Sequence, residues 1–232
     1  MIKKSASILV LIFTSLIALA QPEGQIKKSD LRKDIRMVTD SGILILRLHD
    51  STPLHRDNFI RLIKSGYYEG ISFHRMIAGF VIQAGDGKTK PGFDTTSSLA
   101  SYTVPAEIRS DLYHKRGVLA AARMGDNVNP ERKSSGVQFY IVHGRVFNDR
   151  SLDSVETHRL GGRKIAESRR QVYKTLGGAP HLDQSYTIFG ELISGYDVMD
   201  KIANTPTSGR QGGDKPLTDI RIRKTSMVRR KE

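Results

Sequence analysis

The sequence predicts a mainly β protein: a closed antiparallel barrel whose ends are capped by two helices, with a partly helical insertion on its surface. Three observations support this fold class. Many short apolar segments are separated by glycine-rich turns, which is typical of an antiparallel barrel. Only two segments outside the insertion carry apolar residues at helical spacing. A polar, basic stretch at about 145–178 interrupts the strand pattern and predicts the insertion, with a marginal helix in its second half that Ile165, Val172 and Leu176 suggest.

The elements follow one another in a simple order. Residues 34–49 alternate apolar and polar side chains around an Asp-Ser-Gly turn and predict a hairpin. Thr52 and Pro53 predict a helix with a hydroxyl N-cap, and Gly66 predicts its end. A second helix is expected at 196–203. Further strands are expected at 72–77, 80–83, 118–122, 139–142, 187–192 and 217–223.

The N-terminal region is predicted to lie outside this fold. Residues 1–20 contain two lysines, an apolar run and a small-residue triplet ending at Ala20, the pattern of a signal peptide. The run is shorter than the roughly 20 residues that a membrane-spanning helix needs. Residues 21–33 are expected to form a mobile lead-in, and 34–232 a single domain. Export to a periplasm is therefore predicted; an ordinary amphipathic or core helix is the alternative for the first segment.

Composition excludes several classes of function. The chain of 232 residues has no Cys, so a disulfide scaffold, a thiolate metal site and a Cys nucleophile are excluded. The seven His residues lack zinc-protease spacing, and neither a metal nor another cofactor is expected. The net charge of +13 is spread along the chain, without the aromatic modules of nucleic-acid binding. We expect no nucleic-acid partner, no transmembrane segment in the mature chain, and a monomer.

Two sequence blocks carry the candidate chemistry. The first, 73–86, reads FHRMIAGFVIQAGD, and the second ends in SSGVQFYI at 134–141. Arg75 interrupts an otherwise apolar strand and shares one face with Phe73 and Ile77 by the period of two. Gln83 lies at the end of the next apolar strand. A guanidinium and an amide beside Phe and Tyr side chains predict a shallow apolar pocket with two fixed donors.

These blocks closely resemble the cyclophilins, a family of peptidyl-prolyl cis-trans isomerases. The resemblance covers about 35–142 and 179–222 and implies an eight-stranded barrel capped by two helices. It also implies that proline-containing polypeptides are the partners, and that Arg75 stabilises the transition state of X–Pro rotation without a covalent step. By the same resemblance, the expected catalytic residues are Arg75, Gln83 and His74. The expected substrate-binding residues are Phe80, Val81, Ala122, Arg123, Tyr140, His181, Leu182 and Tyr186.

Some positions depart from the family pattern or allow another role. His181 replaces a Trp found in many members, Tyr186 a frequent His, and Tyr140 a commoner Phe; the Tyr140 hydroxyl requires a partner. His74 fits a structural hydrogen-bonding role as well as a catalytic one. The alternative function is a peptide-binding chaperone or interaction module with little isomerase activity.

Overall fold

Ten β-strands and four α-helices are present in the part of the chain that the structure, a computed structural model, describes: residues 25–94, 96 and 102–230. The strands are β1 (Lys33–Thr39), β2 (Gly42–Leu48), β3 (Arg75–Ile77), β4 (Val81–Ala84), β5 (Thr103–Val104), β6 (Val118–Ala121), β7 (Ser134–Ser135), β8 (Phe139–Val142), β9 (Ile188–Ser194) and β10 (Ile222–Arg229). The helices are α1 (Pro53–Lys64), α2 (Asp149–His158), α3 (Glu167–Thr175) and α4 (Tyr196–Ala203). The mainly β class is as predicted. Helices α1 and α4 are the two that were predicted outside the insertion, and α2 and α3 lie within it.

Eight strands form one antiparallel sheet, in the order β10-β1-β2-β9-β6-β8-β4-β3. The sheet curls strongly into a half-barrel but remains open, so the prediction of a closed barrel is wrong. Strands β3 and β10 lie at its two edges, and an isolated bridge between Ser72 and Arg221 is found there. A full ladder is not formed because β3 has only three residues. The irregular segment that precedes β3 contacts β10 instead through single hydrogen bonds, such as the bond from the Gly70 amide to the Ile222 carbonyl (2.7 Å).

The main core lies between the sheet and helices α1 and α4. Alternate residues of a strand point to opposite faces, and one face of the central strands contributes fully buried side chains such as Ile82 and Ile141. Helix α1 inserts Phe59, whose ring packs edge-on against Phe139 at 5.5 Å. The opposite face of β4 and β8 is therefore left to build a separate surface.

Helix α1 begins where the sequence predicts, but its cap is different. Thr52 makes no side-chain capping bond. The Glu107 carboxylate accepts instead from the amides of Leu54 (3.0 Å) and His55 (2.9 Å). A negative group at a helix N-terminus is favourable because it satisfies free amides and the helix dipole. The cap comes from a residue more than fifty positions away, so the local sequence did not indicate it.

The insertion folds as two helices rather than as one marginal helix in its second half. Helices α2 and α3 enclose a small apolar core of their own. The core residues are Phe147, Leu152, Val155, Ile165 and Tyr173. Asn148 and Ser151 form a capping box at the start of α2, a local signal that the sequence does contain. The chain leaves the insertion through Gly178, where a Cβ atom would lie 2.3 Å from the His114 carbonyl oxygen.

A buried carboxylate joins the two helices of the insertion. Glu156 on α2 accepts hydrogen bonds from the Ile165 amide (3.0 Å), from Lys164 (2.8 Å) and from Arg170 on α3 (2.9 Å). Burial alone would raise the pKa of Glu156, but these donors lower the pKa to about 2. The insertion is therefore held together by both apolar packing and a charged network.

The last strand and the lead-in differ from what the sequence predicts, and the first residues lie outside the part of the chain that the structure describes. The last strand, predicted at 217–223, is found at Ile222–Arg229 because its pairing with β1 decides its register. Asp30, in the predicted lead-in, is buried and bonded to the Lys27 amide and to Lys64 on α1. The predicted signal peptide, 1–20, lies outside the described residues. In residues 25–230, as far as they are described, no helix is both long and apolar enough to cross a membrane.

Candidate active site

Three neighbouring strands bring the central residues of the predicted site together. Arg75 on β3 lies opposite Gln83 on β4, and Gln83 lies opposite Tyr140 on β8. Directly opposed residues of antiparallel strands share a face and lie about 4.5–5.5 Å apart at Cβ. The same register places Val81 on this face and sends Ile82 into the main core. Because apolar residues occupy both faces of β3 and β4, these two strands are almost continuously apolar in sequence. Arg75 on β3 and Gln83 on β4 are the polar exceptions.

A cavity of about 150 Å³ opens on this face. Nine of the eleven predicted site residues line it: Arg75, Phe80, Val81, Gln83, Ala122, Arg123, Tyr140, Leu182 and Tyr186. Its base belongs to a small apolar cluster separate from the main core, in which Val81 and Tyr140 are buried. We call this cavity the proline-site cavity, after the proline ring that the resemblance predicts for it. Its size and apolar base suit one small ring.

The Arg75 guanidinium stands at the rim of the cavity. Its side chain is 38% exposed, and Nε lies 3.7 Å from Asp214 Oδ2, beyond hydrogen-bonding distance. The guanidinium carbon lies 5.9 Å from the centre of the Phe80 ring. The main chain supports this edge because the Met76 amide donates to the Asp214 carbonyl at 2.9 Å. Arg75 is thus oriented by its surroundings without being held in a tight ion pair.

Two further polar side chains at the cavity are held by neighbours. Gln83 Nε2 donates to Gln138 Oε1 at 3.2 Å. Arg123, whose side chain is only 6% exposed, donates through Nε to the Ser185 carbonyl at 2.7 Å and lies 4.6 Å over the Tyr186 ring. Its guanidinium therefore forms part of the cavity wall. Gln138 stands in the quoted second block, so the sequence offered a signal for it.

The Tyr140 hydroxyl at the base of the cavity finds the partner that it requires. His114 Nε2 lies 3.0 Å from this hydroxyl, and His114 Nδ1 lies 3.1 Å from Asp183 Oδ1. Asp183 also accepts from the His114 amide (2.8 Å) and from the Tyr173 hydroxyl of α3 (2.7 Å). Since a carboxylate only accepts, we assign the proton to Nδ1, and Nε2 then accepts from Tyr140. Burial raises the pKa of Tyr140 well above its usual value, which keeps the hydroxyl neutral.

This buried chain of Tyr140, His114, Asp183 and Tyr173 was not anticipated. His114 is a lone histidine without a recognisable spacing, and Asp183 follows the predicted Leu182 without a pattern that marks it as buried. Their partners lie 10 to 69 positions away in the sequence. This series of hydrogen bonds connects the base of the proline-site cavity to the insertion.

The two predicted histidines do not line the cavity. His74 is half-buried, its amide donates to the Gln83 carbonyl, and among the described residues its Nδ1 has no hydrogen-bond partner. Burial lowers the pKa of His74. The His181 ring packs against Phe80 at 5.1 Å. Burial, helped by the charge of Arg159, lowers the pKa of His181 to about 4, so this ring is neutral at pH 7.

Three histidines with lowered pKa values should make the stability of the fold depend on pH. His55, His74 and His181 have lowered pKa values in the folded protein, whereas unfolded histidines take up protons near pH 6.5. The unfolded state therefore binds more protons below that pH, and the free energy of unfolding should fall as the pH drops from about 6.5 to 4. Urea unfolding at pH 7.5, 6 and 4.5 measures this. Equal stability at 7.5 and 4.5 would contradict the expectation, and a comparison of pH 7.5 with 8 is the control.

Within the described ranges, no group of three or more His, Asp or Glu side chains is placed to hold a metal ion. The polar groups that line the cavity are instead the guanidinium groups of Arg75 and Arg123, the amide of Gln83 and the phenols of Tyr140 and Tyr186, beside an apolar base. Such an arrangement is suited to a small apolar ring with hydrogen-bond acceptors beside it. Its lining, as far as the chain is described, contains no carboxylate and no Ser or Thr hydroxyl.

Comparisons with known sequences agree with this geometry. The family described as "Cyclophilin type peptidyl-prolyl cis-trans isomerase/CLD" matches residues 34–227. A putative peptidyl-prolyl cis-trans isomerase of Staphylococcus saprophyticus is 34% identical over 193 residues, covering 83% of this chain and 90% of that protein. A putative bifunctional phosphatase/peptidyl-prolyl cis-trans isomerase of Streptococcus pyogenes is 35% identical, covering 81% of this chain and 37% of that protein.

Solved structures give the same result. A cyclophilin type peptidyl-prolyl cis-trans isomerase of Cryptosporidium parvum has a TM-score of 0.62 at 25% identity, covering 86% of this chain and 99% of that chain. A second structure of that protein, in the presence of the dipeptide Ala-Pro, has a TM-score of 0.60. The family match spans most of the described fold, and with it the strands that build the cavity. The chain therefore belongs to the cyclophilin family and is a peptidyl-prolyl cis-trans isomerase.

Proposed function

We propose that Arg75 accelerates X–Pro rotation by stabilising the twisted imide. Rotation faces a barrier of about 18–20 kcal/mol because amide resonance is lost on the way. In the twisted state the prolyl nitrogen becomes pyramidal and regains a lone pair. A guanidinium beside it then donates a hydrogen bond that the planar nitrogen accepts poorly, so the interaction favours the transition state. No bond to the enzyme forms, and no proton is removed.

The observation that carries this proposal is the position of Arg75 at the rim of an apolar cavity, without a tight carboxylate partner. Arginine suits the role because it stays charged and presents a planar fork of donors. Phe80, Val81 and Leu182 supply the apolar contacts for the proline ring. Gln83 supplies an amide for the peptide backbone. The relative studied in the presence of Ala-Pro supports a proline-containing ligand for this cavity.

The clients that we propose are exported polypeptides with X–Pro bonds. This proposal rests on the signal-like pattern of residues 1–20, which favours a periplasmic location after cleavage near Ala20. The protein is proposed to act as a monomer, since one chain supplies all nine residues of the cavity lining. N-terminal sequencing of the mature protein tests the export step. A mature protein that retains Met1 would contradict it.

Removal of the Phe80 ring tests whether the cavity holds the proline. We expect Phe80→Ala to lower kcat/KM for a short X–Pro peptide by about tenfold, because a buried aromatic ring contributes about 1.5–3 kcal/mol and Phe80 is only partly buried. NMR exchange measurements on the peptide give the rate. Leu217→Ala, an exposed apolar residue outside the cavity, is the control and should behave as the wild type.

Two results would overturn the proposal. If Phe80→Ala isomerises the peptide as fast as the wild type, the cavity does not hold the proline. If the wild type binds the peptide but leaves the rate of isomerisation unchanged, the chain acts as a peptide-binding module instead.

A further inference from the structure

A second, larger cleft adjoins the proline-site cavity. It has a volume of about 560 Å³ and lies between the insertion and the edge of the sheet. Phe80 lines both the cleft and the proline-site cavity, so the two are adjacent. His181 stands beside Phe80, and Arg145, His158 and Arg159 of the insertion form the other side. We call it the insertion cleft. A peptide whose proline occupies the cavity has this cleft next to it.

The insertion cleft is basic. Its lining contains two arginines and two histidines and no carboxylate. Arg145 and Arg159 are exposed, and in the part of the chain that is described neither forms an ion pair with an Asp or Glu side chain. The Arg145 guanidinium carbon lies 4.8 Å over the Phe147 ring, which restricts its position.

A neighbouring arginine, unlike Arg145 and Arg159, is paired with carboxylates. Arg170, on α3 of the same insertion, contacts three carboxylates at 2.9 to 3.0 Å, those of Asp149, Asp153 and Glu156. Carboxylates of the insertion are thus collected around Arg170 and kept away from the cleft. The positive charges of Arg145 and Arg159 also act at His181, on the wall of the insertion cleft. Burial is the main cause of the lowered pKa of His181, and both charges lower it further.

We propose that the insertion cleft binds the carboxylate of an acidic client residue close to the isomerised proline. The inference deepens the proposed function, on which it rests, by naming a class of preferred substrate. An extended chain advances about 3.3–3.6 Å per residue, and the two cavities share one wall, so the acidic residue lies within about three positions of the proline. Guanidinium groups match carboxylates in charge and in fork geometry.

The expected size of the preference follows from the exposure of the two arginines. An exposed ion pair contributes up to about 1 kcal/mol, which is about fivefold in affinity. Two arginines acting on one carboxylate should therefore favour a Glu peptide over the matched Gln peptide by about 5- to 20-fold. The preference should shrink as salt is raised from 0.05 to 0.5 M, because the Debye length falls from above 10 Å to a few ångströms.

The test uses one set of proline peptides in which each position within three residues of the proline is Gln, Glu or phosphoserine in turn. Dissociation constants and kcat/KM are measured for the full chain, for Arg145→Gln/Arg159→Gln, and for Arg150→Gln. Arg150 lies on α2, between Arg145 and Arg159 in the sequence, and is exposed, but it does not line the insertion cleft. It therefore controls for the loss of one positive charge of the insertion outside the cleft, and Arg145→Gln and Arg159→Gln, each alone, are the variants matched to it in charge.

The inference is supported if at least one Glu position binds about 5- to 20-fold more tightly than Gln, if Arg150→Gln keeps that ratio, and if the double variant brings it near one. Equal affinities for Glu and Gln peptides, or a ratio that survives in the double variant, would overturn it. A gain with phosphoserine but none with Glu would also overturn it, in favour of a phosphate site. The proposed function fails separately, if no peptide is isomerised; the dissociation constants still decide the inference in that case.

Discussion

Arg75→Ala is expected to lower kcat/KM for prolyl isomerisation by about 10²–10³-fold, the loss seen when a donor to a developing transition-state lone pair or charge is removed. The fold should survive, because the side chain is 38% exposed and touches its nearest carboxylate, Asp214, only at 3.7 Å. The rate is measured by NMR exchange on a short X–Pro peptide. Urea unfolding of the same samples should show a change within about 0.5 kcal/mol.

Two further variants separate the proposed role of Arg75 from simple charge. Arg75→Lys keeps the charge but loses the planar fork, so its activity should fall between that of Arg75→Ala and that of the wild type. Asp214→Asn removes the nearby carboxylate and keeps the guanidinium, so its activity should stay within about threefold of the wild type. If Arg75→Ala retains most of its activity, the transition-state role assigned to this residue is wrong.

Asp183→Ala is expected to destabilise the fold by about 3–5 kcal/mol, because it removes a buried charged acceptor and leaves several donors without partners. The donors are the His114 amide, the Nδ1 of the same residue and the Tyr173 hydroxyl. Urea denaturation followed by circular dichroism measures the loss. Because the Tyr140 hydroxyl depends on His114, peptide binding should weaken as well.

Tyr173→Phe is the matched control for this buried chain. It deletes one hydroxyl and leaves Asp183 its bonds to His114, so we expect a loss of about 1 kcal/mol. Asp183→Asn keeps the volume of the side chain and serves if Asp183→Ala does not fold. An Asp183→Ala protein no less stable than Tyr173→Phe would mean that the carboxylate contributes little to the fold.

Local patterns predicted those parts of the molecule that depend on neighbouring residues in the sequence. The alternation around Arg75 and Gln83 places both on the face that lines the cavity, and Thr52-Pro53 and Gly66 bracket α1. The resemblance to a family added the residues from distant strands, such as Tyr140 and Leu182, that line the same cavity. Strand spacing alone does not bring these together.

Features that depend on distant contacts were missed or misjudged. The sequence does not reveal that β3 is too short to close the sheet, because closure depends on the register of β10 against β1. Helix α2 was overlooked because its buried positions include the charged Glu156, whose partner Arg170 lies 14 positions further on. His114 carried no signal, since its role depends on a carboxylate 69 positions away.

The bond between Tyr173 and Asp183 has a practical consequence for anyone who wishes to shorten this protein. Excising 145–178 to obtain a minimal isomerase would remove the Tyr173 phenol and leave the Asp183 carboxylate, beneath the catalytic surface, with only its bonds to His114. A shortened version therefore needs a new donor to the Asp183 carboxylate in place of this phenol, while the bonds from His114 are kept. The extra helices are in this sense part of the scaffold on which the reaction takes place.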